Sequence, residues 1–203
     1  MKKSVTLVLK ALLISTFVGL VGCSSIFRGP SSDIAGNLIP DSDYYSMIEK
    51  QTRKKQIYDG MSNVLDMSAT LMNGETALAQ ADHNARIYQY TNSQYKNEKG
   101  TIQSNLSKQT EIFVSLFIPE KRYDDLAKKS TKWKVFLDVA GQRYEPKVVK
   151  IKAQLAEVQN LYPNHSRWGT PYKLIFPVST TVSENGKAKL TLTGPVTSTQ
   201  IEF

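Results

Sequence analysis

The chain has 203 residues and a formal net charge of +8, because 26 lysines and arginines outnumber 18 aspartates and glutamates. One cysteine and two histidines argue against a disulfide framework, a thiol enzyme or a metal cluster, so we expect no cofactor and no metal. The motifs H-E-x-x-H, G-x-S-x-G and G-x-G-x-x-G and the P-loop do not occur, which excludes the usual signatures of zinc proteases, α/β-hydrolases and nucleotide-binding proteins.

The first 22 residues are predicted to be a secretory signal peptide. Lys2 and Lys3 precede an apolar stretch, and Gly22 supplies a small residue before a polar run. A membrane-spanning helix needs about 20 apolar residues, which is more than Ala11–Val21 supplies. A cleaved signal therefore fits this segment better than a permanent membrane anchor.

The residues Leu20-Val21-Gly22-Cys23 resemble the lipobox of bacterial lipoproteins. The resemblance implies cleavage before Cys23 and a diacylglyceryl group on its sulfur, so that acyl chains would attach the protein to a membrane. Two or more chains anchor a protein stably, whereas one chain binds only marginally. Ser24, and not aspartate, follows the cysteine, and the sorting rule that the resemblance brings with it then favours the outer membrane.

Residues 23–43 are predicted to comprise the lipidated cysteine and a flexible tether. Serine, glycine, proline and aspartate are frequent in them, and the apolar residues follow no period. A short amphipathic helix is predicted from Tyr44 to about Gln56, with Ser46 and Glu49 at the spacing of a capping box.

The region 44–108 is predicted to be helical with one strand. Apolar side chains at odd positions from 61 to 71 indicate that strand, although a helix face would also accommodate several of them. A second amphipathic helix is predicted from Glu75 to about Gln89, with His83 on its polar face toward solvent. Residues 90–108 are polar and suit either an exposed helix or a loop.

The region 109–203 is predicted to form a β-sandwich. With the strand at 61–71, its short apolar or alternating segments make about seven strands, and the short connections favour antiparallel pairing. The predicted fold class is α+β, with N-terminal helices packed on an antiparallel, immunoglobulin-like β-sandwich and residues 44–203 in one compact unit. The segments in this region are 111–118, 133–139, 144–151, 172–178, 189–193 and 196–203.

The most distinctive loop runs from Tyr162 to Tyr172 and contains His165, Arg167 and Trp168. Loops at the end of a sandwich often carry recognition, and tryptophan and arginine are frequent in binding hot spots. The alternative is that Trp168 covers the open end of the sandwich, and we predict this lid role for Trp168. His165 and Arg167 are then the candidates for contact with a partner.

Catalysis has little support in the sequence. His165 lies beside Ser166, and a histidine with a serine is part of an acyl-transfer site, but the sequence places no acid near it. Asp124-Asp125 is predicted to lie in a turn or at the start of a helix and not to be an acid/base pair, because adjacent carboxylates do not share one face of a strand or a helix. An envelope hydrolase using His165 with an unidentified acid is therefore kept only as the alternative function.

The order of several motifs resembles a group of small, uncharacterised lipoproteins of predatory and delta-type proteobacteria. The resemblance implies no activity and no catalytic residues. We therefore expect a lipid-anchored, non-enzymatic envelope protein that binds an envelope protein or a cell-wall polymer and no nucleic acid. The motifs, after the lipobox, are Thr52-Arg53, Ile57-Tyr58, Ala69-Thr70, Trp133, Tyr144-x-Pro146, Trp168-x-x-Pro171-Tyr172 and Phe176-Pro177.

Overall fold

A computed structural model describes Asp33 and residues 35–203. The helices in this part of the chain are α1 (Asp41–Gln51), α2 (Gly74–Ile87), α3 (Asn92–Leu106), α4 (Leu155–Leu161) and α5 (Thr180–Asn185), with a 3-10 turn at Lys121–Tyr123. The strands are β1 (Thr52–Asp59), β2 (Ser62–Met72), β3 (Thr110–Phe117), β4 (Lys134–Val139), β5 (Gln142–Tyr144), β6 (Lys147–Lys150), β7 (Thr170–Phe176), β8 (Lys189–Thr193) and β9 (Ser198–Glu202). The predicted signal peptide and Cys23 lie outside the described residues.

The strands form two antiparallel sheets, so the fold class is α+β. One sheet has five strands in the order β1-β2-β3-β7-β6, and the other has four in the order β5-β4-β8-β9. Their inner faces share one hydrophobic core, because alternate side chains of a strand point to the same face. This core includes Leu65, Met67, Ile112, Val114, Tyr172, Leu174 and Phe176 from the first sheet and Val135, Leu137, Leu190, Leu192 and Ile201 from the second.

A second, smaller core joins the helices to the outer face of the five-stranded sheet. Phe113 of β3 points to this face, and its ring stacks on Tyr162 with the centroids 3.6 Å apart. β3 is therefore buried on both faces, which explains its nearly continuous apolar sequence. The other buried members are Tyr44, Ile48, Met72, Ala79 and Val158.

Several predicted elements are present with small shifts in their bounds. The strand predicted over 61–71 is β2, and the helix predicted from Glu75 is α2. The open choice for 90–108 is resolved as helix α3, which begins with a capping box between Thr91 and Gln94 and buries no side chain.

The tether and the first helix are corrected by the structure. Residues 35–43 are packed: the amide of Ala35 donates to the carbonyl of Tyr90 at 3.0 Å, and α1 begins at Asp41. Helix α1 ends at Gln51 and does not reach Gln56, because Thr52 begins β1 and pairs with Thr70 of β2. The region 44–108 therefore contains two strands and not one.

The strand predicted over 144–151 is also corrected. Its first residue, Tyr144, ends β5, the segment is interrupted at Glu145-Pro146, and β6 follows in the other sheet. The described residues thus contain nine strands instead of about seven, and helices α4 and α5 lie in the region predicted to be entirely β.

Candidate functional site

A polar groove of about 380 Å³ lies on the outer face of the five-stranded sheet. Its floor comes from the first three strands of that sheet, and its wall comes from the loop that follows α4. We call it the polar groove, and its lining residues are Lys54, Gln56, Asp66, Ser68, Ser115, Phe117, Asn164 and Ser166.

The strand register builds the floor as two parallel rows. Lys54 pairs with Ser68, and Ser68 pairs with Ser115, so these three side chains form the first row. The second row lies two positions further along each strand and consists of Gln56, Asp66 and Phe117. Strands lie roughly 4.8 Å apart and rise about 3.4 Å per residue, so the floor measures roughly 10 by 7 Å.

The wall of the groove is held against β3 by hydrogen bonds to one serine. The Nδ1 atom of His165 lies 2.7 Å from Ser115 Oγ, and the amide of Ser166 donates to the same oxygen at 3.3 Å. Gly169 lets the loop approach this closely, since a Cβ there would lie 2.6 Å from Ser115 Oγ. His165 and Ser115 thus set the shape of the groove.

His165 has the protonation state that suits this hydrogen bond. The residue is 5% exposed, and burial lowers the pKa of its imidazole, which favours the neutral ring. A neutral ring protonated on Nε2 accepts the Ser115 hydroxyl proton at Nδ1, while the Ser166 amide donates to the same Oγ. The unidentified acid that the hydrolase alternative needs is not found beside His165, because among the described residues no carboxylate forms a hydrogen bond or ion pair with it.

Ser68 contributes the groove's unsatisfied polar atom. Its side chain is 6% exposed, and its Oγ has no hydrogen-bond partner among the described residues. Burying a hydroxyl without a partner is unfavourable, and most buried polar groups in folded proteins are satisfied. The floor therefore contains a buried hydroxyl that is able to donate and accept and has no partner among the described residues.

The predicted lid role for Trp168 is wrong. The side chain is 72% exposed, and the Arg167 guanidinium lies over the indole, 5.3 Å from its centroid. The amide of Trp168 donates to Ser166 Oγ at 3.2 Å, which joins this exposed pair to the groove wall. Of the two predicted contact residues, Arg167 is exposed, whereas His165 is buried beneath the loop.

The solvent-facing position predicted for His83 is also wrong. Its ring is 1% exposed and stacks on Tyr44, with the centroids 4.4 Å apart. Its Nδ1 lies 2.7 Å from Asp41 Oδ1, and its Nε2 lies 3.2 Å from the carbonyl of Asn160. His83 therefore joins α1, α2 and α4, and this position gives it a structural role.

The sequence reasoning missed Lys54, Asp66, Ser68 and Ser115. For the last three the signal was the presence of small or charged residues at even positions of β2 and at Ser115 within an otherwise apolar β3, whereas Lys54 lies in β1. A strand buried on both faces needs apolar residues at such positions, so polar ones mark a stretch where the outer face is left open.

Comparisons with known proteins identify no relative: no family model, no curated protein and no solved structure matches this chain. In the part that the structure describes, no helix is both long and apolar enough to cross a membrane. The same residues contain no group of three or more histidine, cysteine, aspartate or glutamate side chains that would hold a metal ion.

Proposed function

We propose that this protein is a lipid-anchored bacterial envelope protein that acts as a non-catalytic binding or structural module. Its partner would be an envelope protein or a cell-wall polymer. The layout of the first 22 residues and Cys23 support the lipid anchor, and Ser24 supports the outer membrane. The proposal for binding is carried by one observation, the exposed Arg167–Trp168 pair beside the polar groove.

Trp168 is exposed, although its side chain is large and mostly apolar. Tryptophan combines a large contact area with only two side-chain torsions, arginine contributes a planar group with five donors, and both dominate measured binding hot spots. A cation above the ring already orients both side chains, which lowers the entropy that binding would have to remove. Because the lid role is excluded by the 72% exposure of Trp168, recognition is the interpretation that explains this pair best.

The test is affinity capture from solubilised membranes with the full chain as bait. We expect Arg167→Ala and Trp168→Ala each to weaken capture of a partner by about tenfold, a typical hot-spot loss. Lys187→Ala, another exposed basic residue, serves as the control. Equal capture by all three variants would contradict the proposal.

The anchor has a separate test in membrane fractionation. We expect the wild-type chain to partition with the outer membrane and Cys23→Ala to appear in the soluble fraction. A wild-type chain found wholly in the soluble fraction would exclude the anchor without affecting the binding proposal.

The Ser115–His165 hydrogen bond favours a second candidate, a hydrolase of envelope material. A neutral imidazole 2.7 Å from a serine hydroxyl is able to take its proton. Without an acid to orient the imidazole, we expect no covalent labelling of the chain by a fluorophosphonate probe. Labelling that disappears in Ser115→Ala and His165→Gln would establish the hydrolase instead.

We also propose that the two sheets have the aligned packing of immunoglobulin-like sandwiches. Two antiparallel sheets with a common core support it. A crystal structure tests it, since aligned sandwiches keep the mean strand directions within about 30° and orthogonal ones cross near 90°.

A further inference from the structure

We propose that the polar groove binds a short peptide segment that carries both a free carboxylate and a free ammonium group. Lys54 would receive the carboxylate, Asp66 the ammonium group, and Ser68 an amide between them. This inference rests on the proposed binding function and names the class of ligand for the same end of the molecule.

The groove floor carries two opposite charges close together. Lys54 and Asp66 lie on the same face of neighbouring strands, at diagonal positions of the β1–β2 pair. Diagonal neighbours are about 7–8 Å apart, and no ion pair among the described residues joins Lys54 to Asp66 or to another carboxylate. The groove therefore presents one positive and one negative charge side by side, and neither neutralises the other.

The carboxylate of Asp66 is held in place by a side chain of the neighbouring strand. Gln56 Nε2 donates to Asp66 Oδ2 at 3.1 Å, which holds the carboxylate and leaves its other oxygen to accept from a ligand. An ammonium group has three donors and satisfies such an oxygen with a charge-assisted hydrogen bond.

Ser68 adds a hydroxyl without a hydrogen-bond partner to the floor of the groove. Ser68 lies in the row between Lys54 and Ser115, with its Oγ buried and without a partner among the described residues. A peptide bond that passes over the floor offers both an N–H and a carbonyl to this hydroxyl. Asn164 and Ser166 on the wall add further polar groups at the same level.

The size of the groove agrees with this ligand. A volume of about 380 Å³ falls at the lower end of the range for small-molecule sites, which is roughly 300–1,000 Å³. An extended tripeptide spans about 10 Å, and the roughly 7–8 Å between the backbone positions of Lys54 and Asp66 together with the long lysine side chain accommodates its two charged ends. Phe117 offers an apolar surface for one small side chain.

Charge balance separates this ligand from other polymers. Lys54 and Asp66 are the only charged side chains among the lining residues, so the groove has no net charge. A purely anionic polymer would meet Asp66 unfavourably, and a neutral glycan would offer hydroxyl groups but no opposite charge to either side chain. A zwitterionic segment satisfies both.

The experiment is a titration of the full chain in detergent micelles with three matched peptides, monitored by calorimetry. The probes are trialanine with free ends, N-acetyl-trialanine and trialanine amide. We expect trialanine to bind at least about tenfold more tightly than either blocked peptide, since each blocked end removes one charge-assisted contact. Equal binding of all three, or no binding of trialanine, would overturn the proposal.

Variants assign each charge to one end of the peptide. In Lys54→Gln the preference for the free carboxylate should disappear, while the preference for the free ammonium group persists. Asp66→Asn should show the reverse, and Ser68→Ala should weaken all three peptides. Lys55→Gln is the control, because Lys55 is the exposed neighbour whose side chain alternates to the opposite face. A Lys54→Gln variant that behaves like Lys55→Gln would contradict the assignment.

Two sources share this chemistry, and competition distinguishes them. If insoluble cell-wall material displaces trialanine, wall-attached peptides are the source; if it does not, free oligopeptides are. If trialanine does not bind but partner capture is still weakened by Trp168→Ala, this inference is removed and the proposed function stands. If trialanine binds but partner capture is not weakened by Trp168→Ala, the groove keeps its peptide and the proposed role of Trp168 in partner binding is removed.

Discussion

At the level of single residues, the two tryptophans have opposite environments. Trp133 is 4% exposed, and its Nε1–H donates to the carbonyl of Tyr123 at 2.6 Å. Gly194 packs directly against its ring, leaving no room for a Cβ. Trp133 therefore has the buried environment that was predicted for Trp168, and the two tryptophans differ only in their position in the fold.

We expect Trp133→Ala to lower the free energy of unfolding by about 3–5 kcal/mol, the usual cost of truncating a buried tryptophan. Trp168→Ala should change it by less than about 0.5 kcal/mol, as for most surface substitutions. Denaturant unfolding followed by circular dichroism measures both. A large loss of stability in Trp168→Ala would restore the lid role and count against recognition.

The buried His165 gives stability a dependence on pH. Burial lowers the pKa of its imidazole in the folded state, so the unfolded chain binds the proton more readily. The corresponding stability is complete above the unfolded pKa of about 6.5 and is lost as the pH falls below it toward the lowered folded value.

We expect His165→Asn to reduce this dependence, with the difference from wild type confined to the acidic side of neutrality. Free energies of unfolding measured between about pH 5 and 8 test it, and His83 is present in both proteins and cancels. Parallel curves for the two proteins would show that His165 does not contribute.

At the level of elements, the contacts of α1 explain why residues 35–43 are not a tether. Asp41 accepts hydrogen bonds from His83 and from Arg86, and the amide of Ile39 donates to Asp82 at 3.2 Å. Burial acts to raise the pKa of Asp41, but these two partners outweigh it and lower the pKa overall. Polar residues that suggested flexibility thus serve as partners for α2.

We expect Asp41→Asn to loosen this segment without unfolding the sheets. The change removes a charge from a partly exposed network, so about 1 kcal/mol of local stability should be lost. Hydrogen exchange should accelerate by roughly fivefold in 35–51 and stay unchanged in β3. Uniform acceleration across the chain would show that α1 unfolds together with the whole domain.

Strand β1 shows why one element escaped detection. Its side chains Arg53, Lys54 and Lys55 are exposed, and the sequence resembles the polar face of a helix that continues from α1. The strand forms because β2 offers backbone hydrogen bonds along its free edge. Lysines and arginines are common on edge strands, where they discourage pairing with other chains.

At the level of the whole molecule, packing sets the boundary of the folded unit. Ala35 is buried and hydrogen-bonded to Tyr90, so the compact unit begins eight residues before Asp43, the end of the predicted tether. Limited proteolysis with mass spectrometry should therefore leave a resistant fragment that still contains residues 35–43. A stable fragment that begins after Asp43 would support the longer tether instead.

The sequence alone determined β2, β3, α2 and the α+β class. The apolar periods of β2 and α2 and the apolar run of β3 depend on which faces of each element are buried. Such a pattern is visible within one short segment of the chain. The signal layout and Cys23 were likewise found in the sequence, since they form a short contiguous pattern. The lipid anchor itself stays a prediction.

Only the tertiary structure decided the groove, the burial of His83 and His165, and the exposure of Trp168. Lys54, Ser68 and Ser115 come from three separate strands and meet because antiparallel register aligns them. Ser115 and His165 lie 50 positions apart in the chain, and no local pattern links them. Burial and hydrogen bonding depend on which surfaces meet, and that information is distributed over the whole chain.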